Sequence, residues 1–246
     1  MKLNSSLEGL MQKLIIDPEF WDIFPEVEIA VMTAHNIDNH DDSNVPNNLI
    51  EHANEIAKKW VPDDPISANP VVKAWRDAYR KFKTKKGARN AVENLLKRAK
   101  NNKGVGNINP IVDVYNSVSL EYAFPIAAED LDKLVGDVHL TVAKGGEPFT
   151  PIGEDEVEKA LPGEVVYRDD QDIISRCWAW RDSARVEDTD DTKNLLFYME
   201  NIQPERKDDH LDAANALKTR FHDYLNIDIN DVTILSKTNP EFIFAK

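Results

Sequence analysis

The stretch Arg176-Cys177-Trp178-Ala179-Trp180-Arg181 gathers the chain's one cysteine, two of its five tryptophans and two guanidinium groups into six residues. Guanidinium and indole side by side suit a flat or anionic ligand: a carboxylate, a phosphate or a nucleotide base. In an extended segment side chains alternate, so Arg176, Trp178 and Trp180 are expected on one face and Cys177, Ala179 and Arg181 on the other. An arginine beside two tryptophans needs an anionic partner or an aromatic stack. The face therefore reads either as core or as the wall of a cleft. Cys177 reads as a structural, semi-buried thiol, because no histidine lies near it in sequence to activate it.

Other chemistry-bearing residues are more dispersed. His35, Asp38, His40, Asp41 and Asp42 share one loop, but their spacing fits no metal-ligand pattern, so no metal and no cofactor are expected. Glu154, Asp155, Glu156 and Glu158 read as a solvated acidic turn, and Asp169, Asp170 and Asp172 as hairpin punctuation. Glu164 follows Pro162-Gly163 and opens an apolar strand, where it could point along a sheet edge. The chain lacks a Gly-rich phosphate loop, a Gly-x-Ser-x-Gly elbow and a CxxC pair, so covalent catalysis has no sequence signature.

Charge narrows the partners. The net charge is −14, which opposes broad attraction to nucleic acid, DNA included. Yet twelve lysines and arginines stand against two acids between Val71 and Lys103. Within this stretch Arg76, Arg80, Lys83, Lys85, Lys86 and Arg89 are candidates for local phosphate contacts, the alternative being a solvated helical face. A lone cysteine excludes an internal disulfide. Apolar runs fall short of the roughly 20 residues a membrane helix needs, and no signal-peptide pattern is visible, so a soluble protein of the reducing cytoplasm is expected.

The elements that would hold these residues follow from periodicity. Residues 1–16 look helical, up to the break at Asp17-Pro18, and Val27 to Thr33 reads as a strand. Leu49, Ala53, Ile56, Ala57 and Trp60 mark an amphipathic helix; Asn69-Pro70 and Asn109-Pro110 open two more, with a basic helix around Val92 to Ala99 between them. From His139 short β-prone runs follow: HLTVA, EPFTPI, EVVYRD, DIISRCWAW and NLLFYMENI. Leu211, Ala214, Leu217, Phe221 and Leu225 make a last helix before the strand VTILS. The order predicts an α+β protein, a mostly antiparallel or mixed sheet core flanked by helices, in one domain over 1–246. No sequence feature selects an oligomeric state.

One segment is more specific. Asn109-Pro110-Ile111-Val112-Asp113-Val114-Tyr115-Asn116, then Leu120-Glu121, Phe124-Pro125 and an Asp-containing loop at Asp130 or Asp132, resembles the editing domain of the bacterial phenylalanyl-tRNA synthetase beta chain. The likeness continues through Gly136-Asp137, Ala143-Lys144-Gly145-Gly146-Glu147 and Asp191-Thr192-Lys193-Asn194-Leu195-Leu196. Trp75-Arg76, Asp113 to Leu120, Gly163 to Tyr167 and Arg176 to Arg181 are similar to freestanding relatives of that domain.

The resemblance covers about 70–202, leaving an extension over 1–69, a helix and strand over 203–246, and no room for other synthetase modules. It implies a cleft for the aminoacylated 3′ end of tRNA and hydrolysis of a mischarged ester in trans. Asn116, Ser119, Arg181 and Thr192 are then the catalytic candidates. The pocket would include Asp113, Tyr115, Ala127, Glu164, Arg176, Trp178, Trp180, Thr189 and Tyr198. Ala127 stands where the synthetase pattern has a pocket histidine, and Tyr198 where it has a glutamate that reads the wrong amino acid's hydroxyl. The alternative is a non-enzymatic module binding RNA or an amino-acid-like ligand.

Overall fold

The computed structural model describes residues 11–40 and 43–245. Residues 1–10 of the expected first helix, and Asp41 and Asp42 of the His/Asp loop, lie outside them. Residues 11–16 are not helical: they form β1 (Met11–Ile16). Leu14 and Ile16 are buried while their neighbours are less so, the period of a strand rather than a helix. After it come α1 (Pro18–Ile23), β2 (Glu28–His35), α2 (Leu49–Ala57), α3 (Pro70–Ala78), α4 (Ala91–Lys100) and α5 (Pro110–Tyr122). Next are β3 (Ile126–Asp130), β4 (Val138–Val142), β5 (Pro148–Phe149), β6 (Glu158–Lys159), β7 (Val165–Arg168), β8 (Ile173–Arg176) and β9 (Arg181–Asp182). The chain ends through β10 (Asn194–Asn201), α6 (Lys207–Leu225), β11 (Thr233–Leu235) and β12 (Glu241–Ala245), the last absent from the sequence reading.

Two sheets form, a six-stranded one in the order β12-β1-β4-β7-β8-β9 and a four-stranded one in the order β11-β2-β10-β3, with β5 and β6 as a separate pair. All named pairings are antiparallel except β1 with β4. This is the expected α+β class. The sheets share one core: Leu14, Leu140, Val165 and Tyr167 from the first meet Ile29, Val31, Leu196 and Tyr198 from the second. On the other face of the four-stranded sheet, Met32, Leu195, Phe197 and Met199 pack against Val114 and Val118 of α5 and Leu217 and Phe221 of α6. Each such side chain contributes about 1.5–3 kcal/mol of burial. Leu211, expected on the buried stripe of α6, is exposed; His210 and Ala213 take the inward positions.

The helix starts are those the Asn-Pro pairs predict. Asn109 accepts from the Val112 amide at the head of α5. Asn69 precedes α3 but turns its amide onto Asp63, fixing the preceding loop instead. No described helix is long and apolar enough to cross a membrane.

Candidate functional site

The alternating face expected over residues 176–181 does not exist. Strand β8 ends at Arg176, and Cys177, Trp178 and Ala179 adopt left-handed backbone with φ of 50°, 47° and 59°. Such a conformation costs an L-residue about 1–2 kcal/mol. What offsets it is tertiary. The turn drives Trp178 into a nest of Phe24, Phe20 and Trp75, with ring centroids 4.6, 5.0 and 5.0 Å away. The Tyr79 hydroxyl donates to the Trp178 carbonyl at 2.9 Å. Trp180 stays half-buried, its ring flanked by Lys85 at 5.6 Å and Arg181 at 5.7 Å.

The anionic partner of Arg176 is therefore internal. Its Nε donates to Glu164 Oε1 at 2.8 Å and Nη2 to Glu164 Oε2 at 3.1 Å, while Nη1 reaches Glu158. Both Arg176 and Glu164 are buried, so Glu164 does not point along an open edge, and Glu158 is not a free member of the acidic turn. Cys177 Sγ donates to Glu164 Oε1 at 2.6 Å, and burial pushes its thiol far up, which makes it inert. Arg181 pairs with Glu154 at 2.6 Å and remains accessible.

The other predicted residues divide between supporting bonds and exposed positions. Ser119 Oγ donates to the Phe124 carbonyl at 2.5 Å, and Thr192 Oγ1 donates to Asp130 Oδ2 at 2.8 Å while accepting from the Thr189 amide at 2.9 Å. Both hydroxyls brace loops. Asp113 accepts from Asn107 and from the Ile108 amide, burial raising its pKa, and Asn116 is buried one turn further along α5. Burial also holds Tyr115 far above the usual phenol range.

Within the basic stretch, Arg76 grips buried Glu93 with Nη2–Oε1 at 2.6 Å, Arg89 Nε lies 3.8 Å from the same carboxylate, Arg80 pairs with Asp77 at 2.5 Å and Lys85 with Glu158. Lys83 and Lys86 are exposed. Arg76, Arg80 and Arg89 line one open cleft of about 250 Å³ between α3 and α4.

A second cluster was not read from the sequence. In sheet register, Tyr167, Ser175 and Asp182 form a row across β7, β8 and β9, and Val31, Tyr198 and Ala127 form one across β2, β10 and β3. The rows face each other, with the Tyr167 and Tyr198 rings stacked at 4.3 Å. Tyr198 donates its hydroxyl to Glu129 Oε1 at 2.5 Å and Tyr167 donates to Glu200 Oε1 at 2.9 Å. The seam between the sheets is thus polar, and its groups are incompletely partnered. Glu129 Oε2, Glu200 Oε2, Asp182 Oδ1, Asp188 Oδ2, Ser175 Oγ and Trp178 Nε1 are all sealed without a hydrogen bond. Trp178 lies near enough to Glu200, and Ser175 to Asp182, to draw those carboxyls down slightly without closing a good bond.

Burial dominates the seam's titration. It raises Glu129 strongly, with Asp182 adding repulsion, lifts Glu200 to about 8, raises Asp182 and brings Asp188 to about 6. The rows end on edge strands, at buried Ala127 of β3 and half-buried Asp182 of β9. One sequence signal was available: the parity of β10 carries Leu196, Tyr198 and Glu200 to the same face.

Comparison with known proteins bears on the fold and family. The chain is 35% identical over 103 residues to the phenylalanine–tRNA ligase beta subunit of Fusobacterium nucleatum, covering 42% of this chain and 12% of that one. It is 28% identical over 143 residues to that of Thermotoga maritima, covering 57% and 18%. It thus spans only about a tenth to a fifth of the length of these curated relatives. An N-terminal fragment of the phenylalanyl-tRNA synthetase beta subunit from Pyrococcus horikoshii shares the fold over 95% of this chain and 54% of its own, with a TM-score of 0.50 at 12% identity. The B3/4 domain family matches residues 74–233, well over half of the sequence, and the chain belongs to that family.

Proposed function

We propose that this domain receives the aminoacylated 3′ end of a tRNA at the Ala127–Asp182 edge of the seam and hydrolyses a mischarged ester in trans. One observation carries the reading. Sealed, unpartnered polar atoms converge between the sheets beside Tyr198 and Ala127, the two positions that match pocket residues of the synthetase pattern. Buried polar groups left open in this way mark a site for water or ligand. An aminoacyl ester is reactive already, so orienting a water and stabilising the oxyanion supplies much of the rate. Asp188, at about 6, is mostly ionised at neutral pH and serves as the base for that water. Ser119 and Thr192 shape the walls, and the arginine-lined cleft between α3 and α4 takes backbone phosphates of the RNA.

A second reading, binding without turnover, is favoured by Tyr198 filling the seam and by Arg176 being locked to Glu164. A panel of mischarged tRNAs separates them. Multiple-turnover deacylation of at least one member, lost in Asp188→Asn, supports hydrolysis; retention of tRNA with every ester intact supports the second reading.

A further inference from the structure

The seam's unpartnered atoms are unequal in kind. Four are carboxyl oxygens, Glu129 Oε2, Glu200 Oε2, Asp182 Oδ1 and Asp188 Oδ2, against two obligate donors, Trp178 Nε1 and Arg185 Nε, and one hydroxyl, Ser175 Oγ, that can act either way. Glu129, Glu200, Ser175 and Trp178 are almost completely buried, so bulk water does not satisfy them. Resting on the reading of the seam as an aminoacyl site, we infer that the aminoacyl group it takes carries a cationic amine on its side chain.

Three features support that class. An ammonium brings three donors and no acceptor, matching a surplus of carboxyl oxygens that a hydroxyl, with one donor, would leave mostly unmet. Burial keeps Glu129 and Glu200 protonated, and a cation beside them lets them ionise and pair with it where an unpaired ion would be costly. Shape agrees as well. The stacked Tyr167 and Tyr198 rings fill the middle of the seam, whereas Ala127, the smallest member of its row, presents the least bulk at the edge strand. Glu129 of β3 and Asp182 of β9 both lie on edge strands, and the Asp182 charge acts on Glu129. Arg185, whose field also reaches Glu129, pairs with Asp169 at 2.7 Å and so remains tied to its own partner.

The test uses the full chain and two amide-linked conjugates of 3′-amino-3′-deoxyadenosine, one lysyl and one norleucyl, which differ by the ammonium alone. Calorimetry should show the lysyl conjugate binding at least about tenfold more tightly. Glu129→Gln, which still accepts from Tyr198, should erase most of that preference, with circular dichroism confirming the fold and Glu200→Gln serving as a second variant. Equal binding, or tighter norleucyl binding, overturns the inference and leaves the aminoacyl-end reading standing. If lysyl, norleucyl, seryl and tyrosyl conjugates all fail to bind, the reading itself falls and the inference with it.

Discussion

Tyr198 and Ala127 are direct partners across β10 and β3. The pairing sets a large side chain opposite a small one, with the tyrosine hydroxyl committed to Glu129. Sequence separation hid this: 70 residues lie between two side chains that share a row.

Removing that hydroxyl tests the coupling. Tyr198→Phe leaves Glu129 with no partner in the interior and should cost about 1–3 kcal/mol. Urea unfolding should show a lower midpoint at unchanged slope. An unchanged midpoint would mean that the Glu129 carboxyl finds another donor.

The Arg176–Glu164 pair predicts a larger loss. Arg176→Met strands a fully buried carboxylate and should destabilise by about 3–5 kcal/mol, whereas Arg176→Met combined with Glu164→Leu should recover much of it. If the double variant is no more stable than the single one, the cost lies in packing around the turn and not in the unpaired charge.

That turn also shows where sequence reasoning stops. The helix starts at Pro70 and Pro110, the strand of residues 194–201 and the α+β class were legible because caps and periodicity are local. Three successive left-handed residues without a glycine were not legible, since local sterics argue against them. They arise because burying Trp178 among Phe20, Phe24 and Trp75 outweighs the backbone cost. β1 was misread for a related reason: its apolar run is short, and its strand partners lie more than a hundred residues away.

Protonation should set the pH profile of stability. Glu200, lifted to about 8, keeps in the folded chain a proton that an ordinary carboxyl at 4.5 has already lost in the unfolded one. Between these values the native state binds more protons, so unfolding free energy falls as pH rises, by at most about 1.4 kcal/mol per pH unit for one group. Above about 8 this contribution is flat. Asp188 adds a smaller decline between 3.8 and about 6. Thermal melts should give a higher midpoint at about pH 5.5 than at about pH 8, and Glu200→Gln should flatten the upper part of that slope.

The basic stretch gives a binding prediction. Exposed Lys83 and Lys86 lie in the loop between α3 and α4, and Lys83→Ala and Lys86→Ala should each weaken affinity for tRNA and lower the slope of log affinity against log salt by about 0.7–0.9. Lys85→Ala should act less on RNA, because its charge is already spent on Glu158. Filter binding at several salt concentrations reads all three. A slope that none of the substitutions changes would remove the α3–α4 face from the interface.

β1 lies between β4 and β12, and β2 between β10 and β11. Both sheets are therefore stitched from the two flanks of the sequence together with its middle. Cutting the chain down to 70–202 would strip β4 and β10 of neighbours and bare two raw strand edges to solvent, an invitation to self-association. The same interleaving ties both flanks to the middle through shared sheets, so the chain should melt in a single cooperative step.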